Sequence, residues 1–168
     1  MHMLLNMKEV ATKEAAVRLQ GRIDLSESLR ARGDVVQAGA AEASLEAVPA
    51  GQAVVVHGTV SIEVEQRCAR CLEPVKQQLR IPFQESFTIS SEAAEKDDEL
   101  NLVDEEKIVL DPYVEEAVQL GIPYIPLCKD ECEGLCPVCG KNRNKEACDC
   151  KQEKIDPRLA GLADFFND

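Results

Sequence analysis

Eight cysteines in four close pairs constrain this chain more than any other feature: Cys68/Cys71, Cys128/Cys132, Cys136/Cys139 and Cys148/Cys150. Six of them lie between Cys128 and Cys150, a stretch whose few apolar residues, such as Leu135 and Val138, cannot fold it by burial alone. Something other than an apolar core has to hold it. The candidates are disulfides, redox-active thiols or a metal. The chain has no apolar run of 18 residues, and its start, MHMLLNMKEVATKEA, becomes charged too soon for a signal peptide. A cytoplasmic location is therefore expected. Thiols stay reduced there, so paired cysteines read as metal ligands before they read as disulfides.

Zinc takes four soft ligands in a tetrahedron, with sulfur at about 2.3 Å. The run CPVCG, Cys136–Gly140, has the makings of a ligand turn. Pro137 stiffens it, and Gly140 permits the positive φ that often follows. With Cys148 and Cys150 it reads C-x2-C-x8-C-x-C. The other four, Cys68, Cys71, Cys128 and Cys132, would make a second site that ties two distant parts of the chain together. Four pairs can be matched in three ways, and spacing alone does not choose among them. The expectation is one or two structural zinc ions held by all eight cysteines.

Charge supports a metal. Eight thiolates carry −8 and two zinc ions return +4. Arg67, Arg70, Lys129, Lys141, Arg143, Lys145 and Lys151 lie beside the ligands and can offset the remainder. A structural zinc contributes about 10–16 kcal/mol to the folding of small zinc peptides. A catalytic zinc keeps an open position and usually has a base nearby. The only histidines, His2 and His57, are near no cysteine pair, and His57 falls on the polar side of a strand pattern. The zinc is read as structural and the protein as a non-enzyme.

The net charge of −12, from 19 basic and 31 acidic residues, argues at first sight against nucleic-acid binding. The acidity is uneven. Glu92 to Glu116 holds eleven acidic and two basic residues, while Arg67 to Arg80 holds four basic and one acidic. A basic face of Arg67, Arg70, Lys76 and Arg80, extended by Lys141, Arg143 and Lys145, is the candidate nucleic-acid surface. The competing reading is that these cations balance the thiolates.

Along the chain, Asn6–Gly21 suggests a helix ending at Gly21. An Ala-rich strand is expected around Asp34 to Val48. Val54, Val56, Val60, Ile62 and Val64 share one parity, with His57, Thr59, Ser61, Glu63 and Glu65 on the other. That period of two predicts a half-buried strand. Leu79, Ile81, Phe83, Phe87 and Ile89 repeat the pattern against Arg80, Gln84, Ser86 and Thr88. Pro82 suggests an edge or a bulge, and Glu85 stands on the apolar parity without an evident partner. The two strands flank CARCLEP and are expected to pair as a hairpin. A helix is expected from Asp111, as cap, and Pro112 to Gly121, burying Leu110, Val114, Ala117 and Val118. A second is expected after Asp156 and Pro157, with Leu159, Leu162 and Phe166 on one face.

The plan is α+β: an antiparallel β-sheet, with barrel-like closure as one option, short helices and a C-terminal zinc-binding module. Residues 1–125 form the mainly β domain with an acidic loop at about 91–107. Residues 126–152 form the cysteine-rich module, and 153–168 the final helix.

RCARCLEP, LDPYVEEAVQLGIPYIPLC, the run C-x3-C-x-G-L-C-P-x-C-G-x-N-x-N, CDC and DPRLAGL together resemble the YceD family, the large ribosomal RNA subunit accumulation proteins. The resemblance runs from about Val54 to Leu162. It takes in the eight cysteines with Arg70, Leu72, Glu73, Pro74, Glu116, Pro123, Gly134, Leu135, Pro137, Gly140, Asn142, Asn144, Asp156, Pro157 and Arg158. Arg143 departs from the family, which tends to have Leu there. The resemblance implies a role in making or stabilising 23S rRNA, with no catalytic activity. The expected partners are large-subunit rRNA or a ribosomal protein, with no membrane and no small-molecule substrate. The alternative is a thiol-based redox or zinc-responsive regulator, or a zinc-ribbon adaptor of another machine.

Overall fold

The computed structural model describes residues 2–13, 15–150 and Arg158. Its spine is the expected hairpin. Strands β5 (Ala53–Arg67) and β6 (Pro74–Thr88) pair antiparallel along their full length, from Ala53 opposite Thr88 to Arg67 opposite Pro74. The alternation seen in the sequence sets the faces. Val54, Val56, Val60, Ile62 and Val64 are buried, as are Ile81, Phe83 and Phe87, while His57 and Arg80 are exposed. Replacing a buried ring such as Phe87 with Ala would cost about 3–5 kcal/mol.

The element order begins with β1 (Leu4–Asn6), α1 (Met7–Lys13), β2 (Val17–Ile23), α2 (Ser26–Arg30), β3 (Val35–Ala38) and β4 (Ala41–Ala50). After the hairpin come α3 (Ser91–Lys96), β7 (Leu100–Leu102), β8 (Lys107–Val109) and α4 (Asp111–Gly121). The main sheet has the order β2-β4-β5-β6-β7, and β3 also pairs with β5. All neighbours are antiparallel except β6 and β7. β1 and β8 form a separate two-stranded sheet. Among the described residues barrel-like closure is not found: β2 and the three-residue, parallel β7 are separate edges that do not meet. The architecture is α+β with an open sheet.

Several expectations are corrected. The helix expected to reach Gly21 ends at Lys13, and residues 17–23 are a strand paired with β4. Val17, Leu19 and Ile23 alternate there with Arg18, Gln20 and Arg22, a period of two that the helical reading passed over. Met3 lies over Gly21, whose added Cβ would stand 3.1 Å from the Met3 Sδ. The Ala-rich strand around 34–48 is two strands, β3 and β4. The acidic stretch after β6 carries α3, β7 and β8 within it.

Thr88, expected on the polar face, is fully buried. Its hydroxyl donates to the Gln52 carbonyl at 2.8 Å and accepts from the Ser90 N–H at 3.1 Å. Ile89, expected in the core, lies past the strand end and is exposed. Glu85 does have a partner: the Asn101 amide donates to it at 2.8 Å. Pro82 sits where β6 has β5 on one side and, short of Ser86, no strand on the other, a place that tolerates a missing N–H.

α4 buries Leu110, Val114 and Val118 with Ala117 half-buried, as its spacing predicted. Tyr113 meets Phe87 edge-on, ring centroids 4.9 Å apart. Asp111 does not cap its own helix. Its carboxylate accepts the Met3 N–H at 2.7 Å and faces His2 Nδ1 at 2.8 Å. The helix expected within 153–168, with Asp156, Pro157, Leu159, Leu162 and Phe166, lies outside the described residues except for Arg158, as does Lys151.

Candidate metal centre

The hairpin presents its first two sulfurs at its tip. Between β5 and β6 the chain turns through Cys68–Glu73. The Leu72 N–H donates to the Cys68 carbonyl at 3.0 Å, and the Cys68 N–H to the Glu73 carbonyl at 2.8 Å. Beyond α4, Pro123 prevents the helix from resuming and the chain returns to this tip. The Ala69 N–H donates to the Pro126 carbonyl at 2.8 Å. That contact brings Cys128 and Cys132 opposite Cys68 and Cys71. The Sγ atoms of Cys68 and Cys132 are 3.8 Å apart, those of Cys71 and Cys128 3.6 Å, and all four lie within 4.8 Å of one another. Cys68, Cys71 and Cys132 are buried against Val75, Leu127 and Leu135, while Cys128 is exposed.

The same turn recurs downstream. The Gly140 N–H donates to the Cys136 carbonyl and the Cys136 N–H to the Lys141 carbonyl, both at 2.8 Å. Gly140 has φ 74°, the left-handed region that favours glycine. Here too four sulfurs, of Cys136, Cys139, Cys148 and Cys150, lie within 4.8 Å of one another. Only Cys136 of this set is buried. Leu135 and Asn142 form an antiparallel bridge across the turn.

The fit to a metal can be judged from the sulfurs themselves. A tetrahedron with metal–sulfur distances of about 2.3 Å has sulfur–sulfur edges of about 3.8 Å. A disulfide would bring two sulfurs to about 2.05 Å. All eight thiols are free, and the two short contacts match the tetrahedral edge. Each cluster could therefore hold a metal ion. Of the three pairings the spacing left open, the fold selects one.

Electrostatics point the same way. Burial raises the Cys68 thiol, yet hydrogen bonds from the backbone N–H groups of Cys71, Arg70 and Cys128 outweigh it and hold it at about 6. The N–H groups of Cys139 and Val138 hold Cys136 at about 6. Cys128 is pushed up to about 12 by lost hydration and by sharing its proton with Cys132, Cys71 and Cys68. Cys150 is pushed up to about 12, chiefly by Cys139. Four sulfurs this close do not all ionise unless a cation sits among them.

Outside the sulfurs lies a polar shell. The Asn144 amide donates to Cys132 Sγ at 3.3 Å and to Asn142 Oδ1 at 2.9 Å. Arg70 donates to the carbonyls of Cys132 at 2.9 Å and Asp130 at 3.3 Å. Lys145 pairs with Glu73 at 2.8 Å, which holds the Glu73 carboxyl below its usual range. Gly134, with φ 74°, lies so close under Arg70 that a Cβ would meet its carbonyl oxygen at 3.0 Å. The roles of Asn142, Asn144 and Glu73 were not read from the sequence. The N-x-N that follows CPVCGK is the signal that marked the two asparagines; no local signal marked Glu73.

The seven candidate nucleic-acid residues are divided. Arg70 and Lys145 belong to this shell. Lys76 pairs with Glu65 at 3.5 Å and Lys141 with Glu146 at 3.3 Å. Arg67, Arg80 and Arg143 are exposed, with no side-chain partner among the described residues. No helix among the described residues is long and apolar enough to cross a membrane.

The family model described as large ribosomal RNA subunit accumulation protein YceD matches residues 56–166. The uncharacterized protein Rv2926c of Mycobacterium tuberculosis is 36% identical over 118 residues, 68% of this chain and 56% of its own length. YlbN of Bacillus subtilis, also uncharacterized, is 32% identical over 105 residues, 62% of this chain and 61% of its own. The chloroplastic large ribosomal RNA subunit accumulation protein YCED homolog 1 of Arabidopsis thaliana is 33% identical over 70 residues, 41% of this chain and 22% of its own. The match thus spans little over half the length of the mycobacterial relative. No solved structure matches.

Proposed function

This chain belongs to the YceD family of large ribosomal RNA subunit accumulation proteins, and from that premise we propose that it is a non-enzymatic, zinc-held binding factor that supports 23S rRNA accumulation and assembly of the large ribosomal subunit. It works in the cytoplasm and acts by binding rRNA or a ribosomal protein. The observation that carries this reading is the first sulfur cluster. It brings the tip of the β5–β6 hairpin against the segment beyond α4, where a metal would make one surface of two distant stretches. Zinc suits the donor set because four thiolates at tetrahedral spacing are its usual structural environment. All eight cysteines would be ligands, and none would be left for chemistry. Of the seven candidate cations, Arg67, Arg80 and Arg143 are the ones available for phosphate contact.

The test has two parts. Full-length protein purified under reducing conditions should contain two zinc ions per chain that resist mild peroxide. Loss of zinc with conversion to disulfides under those conditions would favour a redox regulator. Depleting the protein should lower the 23S to 16S rRNA ratio, and wild-type protein should restore it. An unchanged ratio would sink the assembly role. If rRNA itself is the ligand, binding must weaken steeply from low to moderate salt. Salt-insensitive capture would point to a protein partner.

A further inference from the structure

We infer that the two sulfur clusters form one coupled unit, in which Asn144 is the positioning residue through which the second cluster completes the first. The inference rests on the metal-binding reading above. Asn144 lies between Cys139 and Cys148, two members of the second cluster. Yet its side chain serves the first. Nδ2 donates to Cys132 Sγ at 3.3 Å, and Oδ1 accepts the Glu133 N–H at 3.0 Å. Its own orientation is fixed by Asn142, whose Oδ1 accepts both the Asn144 N–H at 3.0 Å and Nδ2 at 2.9 Å.

The rest of the segment reaches across in the same way. The Arg143 N–H donates to the Gly134 carbonyl at 2.9 Å, Lys145 pairs with Glu73 at 2.8 Å, and the Leu135 N–H donates to the Arg70 carbonyl at 3.1 Å. A metal at the second cluster clamps Cys139 and Cys148 on either side of 141–145. It thereby delivers the Asn144 amide to a sulfur of the other site. A donor aimed at a thiolate stabilises the charged form that a metal needs. Outer partners that orient ligands are worth about 10–100-fold in metal affinity. Coupling of two binding events is reciprocal, so a filled first site must tighten the second by the same factor.

The experiment titrates full-length protein with zinc against a chromophoric chelator, and with cobalt(II) followed by thiolate absorption. Four forms are compared: wild type, Asn144→Ala, the pair Cys148→Ser with Cys150→Ser, and all three changes together. The double-serine protein keeps only the first site and identifies its step. Expected are a loss of first-site affinity of about 10–100-fold for Asn144→Ala, a comparable loss for the double-serine protein, and no further loss on combining them. Asn144→Asp keeps the shape but aims an acceptor at the sulfur, so it should lose as much as Asn144→Ala. A first site equally tight with and without the second cluster would overturn the coupling, as would losses that multiply. Wild-type protein that binds no zinc would overturn the metal reading itself, which is a different result from two ions binding independently.

Discussion

The two cysteine turns share one backbone design and differ in their surroundings. In Cys68–Glu73 and in Cys136–Lys141, the same two hydrogen bonds close the loop. The first turn is the tip of a 15-residue hairpin, with two buried sulfurs that pack beside Val75, Leu127 and Leu135. The second has one buried sulfur and no buried apolar cluster of its own among the described residues. The residue after the second cysteine also differs. Gly140 adopts φ 74° at no steric cost, whereas Leu72 is held at φ 62° with its side chain mostly in water. One turn thus serves as a joint between sheet and tail, and the other as a more exposed loop that leans on it. A metal at the first would organise the molecule, and a metal at the second would organise its neighbour.

The sharpest way to break this contrast is to remove one sulfur from each turn. Cys71→Ser should cost more than about 4 kcal/mol, seen as a fall of about 8–16 °C in Tm for a chain of this size. Cys139→Ser should lose one metal ion and lower Tm by less, about 3–11 °C, through the roughly 10–100-fold weaker first site. Equal losses would show the two turns to be structurally equivalent.

A chelator at neutral pH should strip the exposed second cluster at least about tenfold faster than the buried first, since the metal there can be reached without opening a core. Stepwise release followed by a colorimetric chelator tests this, and simultaneous release would contradict it.

Exchanging the special residues tests the backbone comparison. Gly140→Leu should destabilise the second turn by about 1–2 kcal/mol, the cost of placing an L-residue in the left-handed region. Leu72→Gly should change stability by no more than about 1 kcal/mol, because relieved strain is offset by the freer unfolded chain.

Glu73→Gln should give the smallest effect and carries a pH signature. Lys145 holds the folded-state Glu73 carboxyl below its usual range. The stabilisation is therefore present above the ordinary glutamate value and is lost as pH falls through the depressed one. Thermal melts of wild type and variant should differ slightly at neutral pH and converge in acid.

The hairpin was legible because its burial is one-sided, so period-two alternation survives along β5 and along β6 as far as Gln84. Helix α4 was legible from its Pro112 start and apolar stripe. β2 was not, because Gly21 resembles a helix stop until Met3 is seen to cover it. The eight cysteines were plain from sequence as candidate ligands, but their grouping was not. It depends on where the chain returns after α4, a contact between Ala69 and Pro126 that no local pattern encodes. The same holds for Asn144, whose target sulfur is 12 residues away in sequence but in a different cluster.

The sequence separation within the first cluster also has a consequence in time. Cys71 and Cys128 are 57 positions apart. At about 5–20 residues per second, translation takes about 3–11 s to travel from one to the other. During that interval the nascent hairpin carries half of the first cluster, two thiols with no counterpart yet made. Oxidants and stray soft metals would have the first claim on them, before the chain can bring its own partners round.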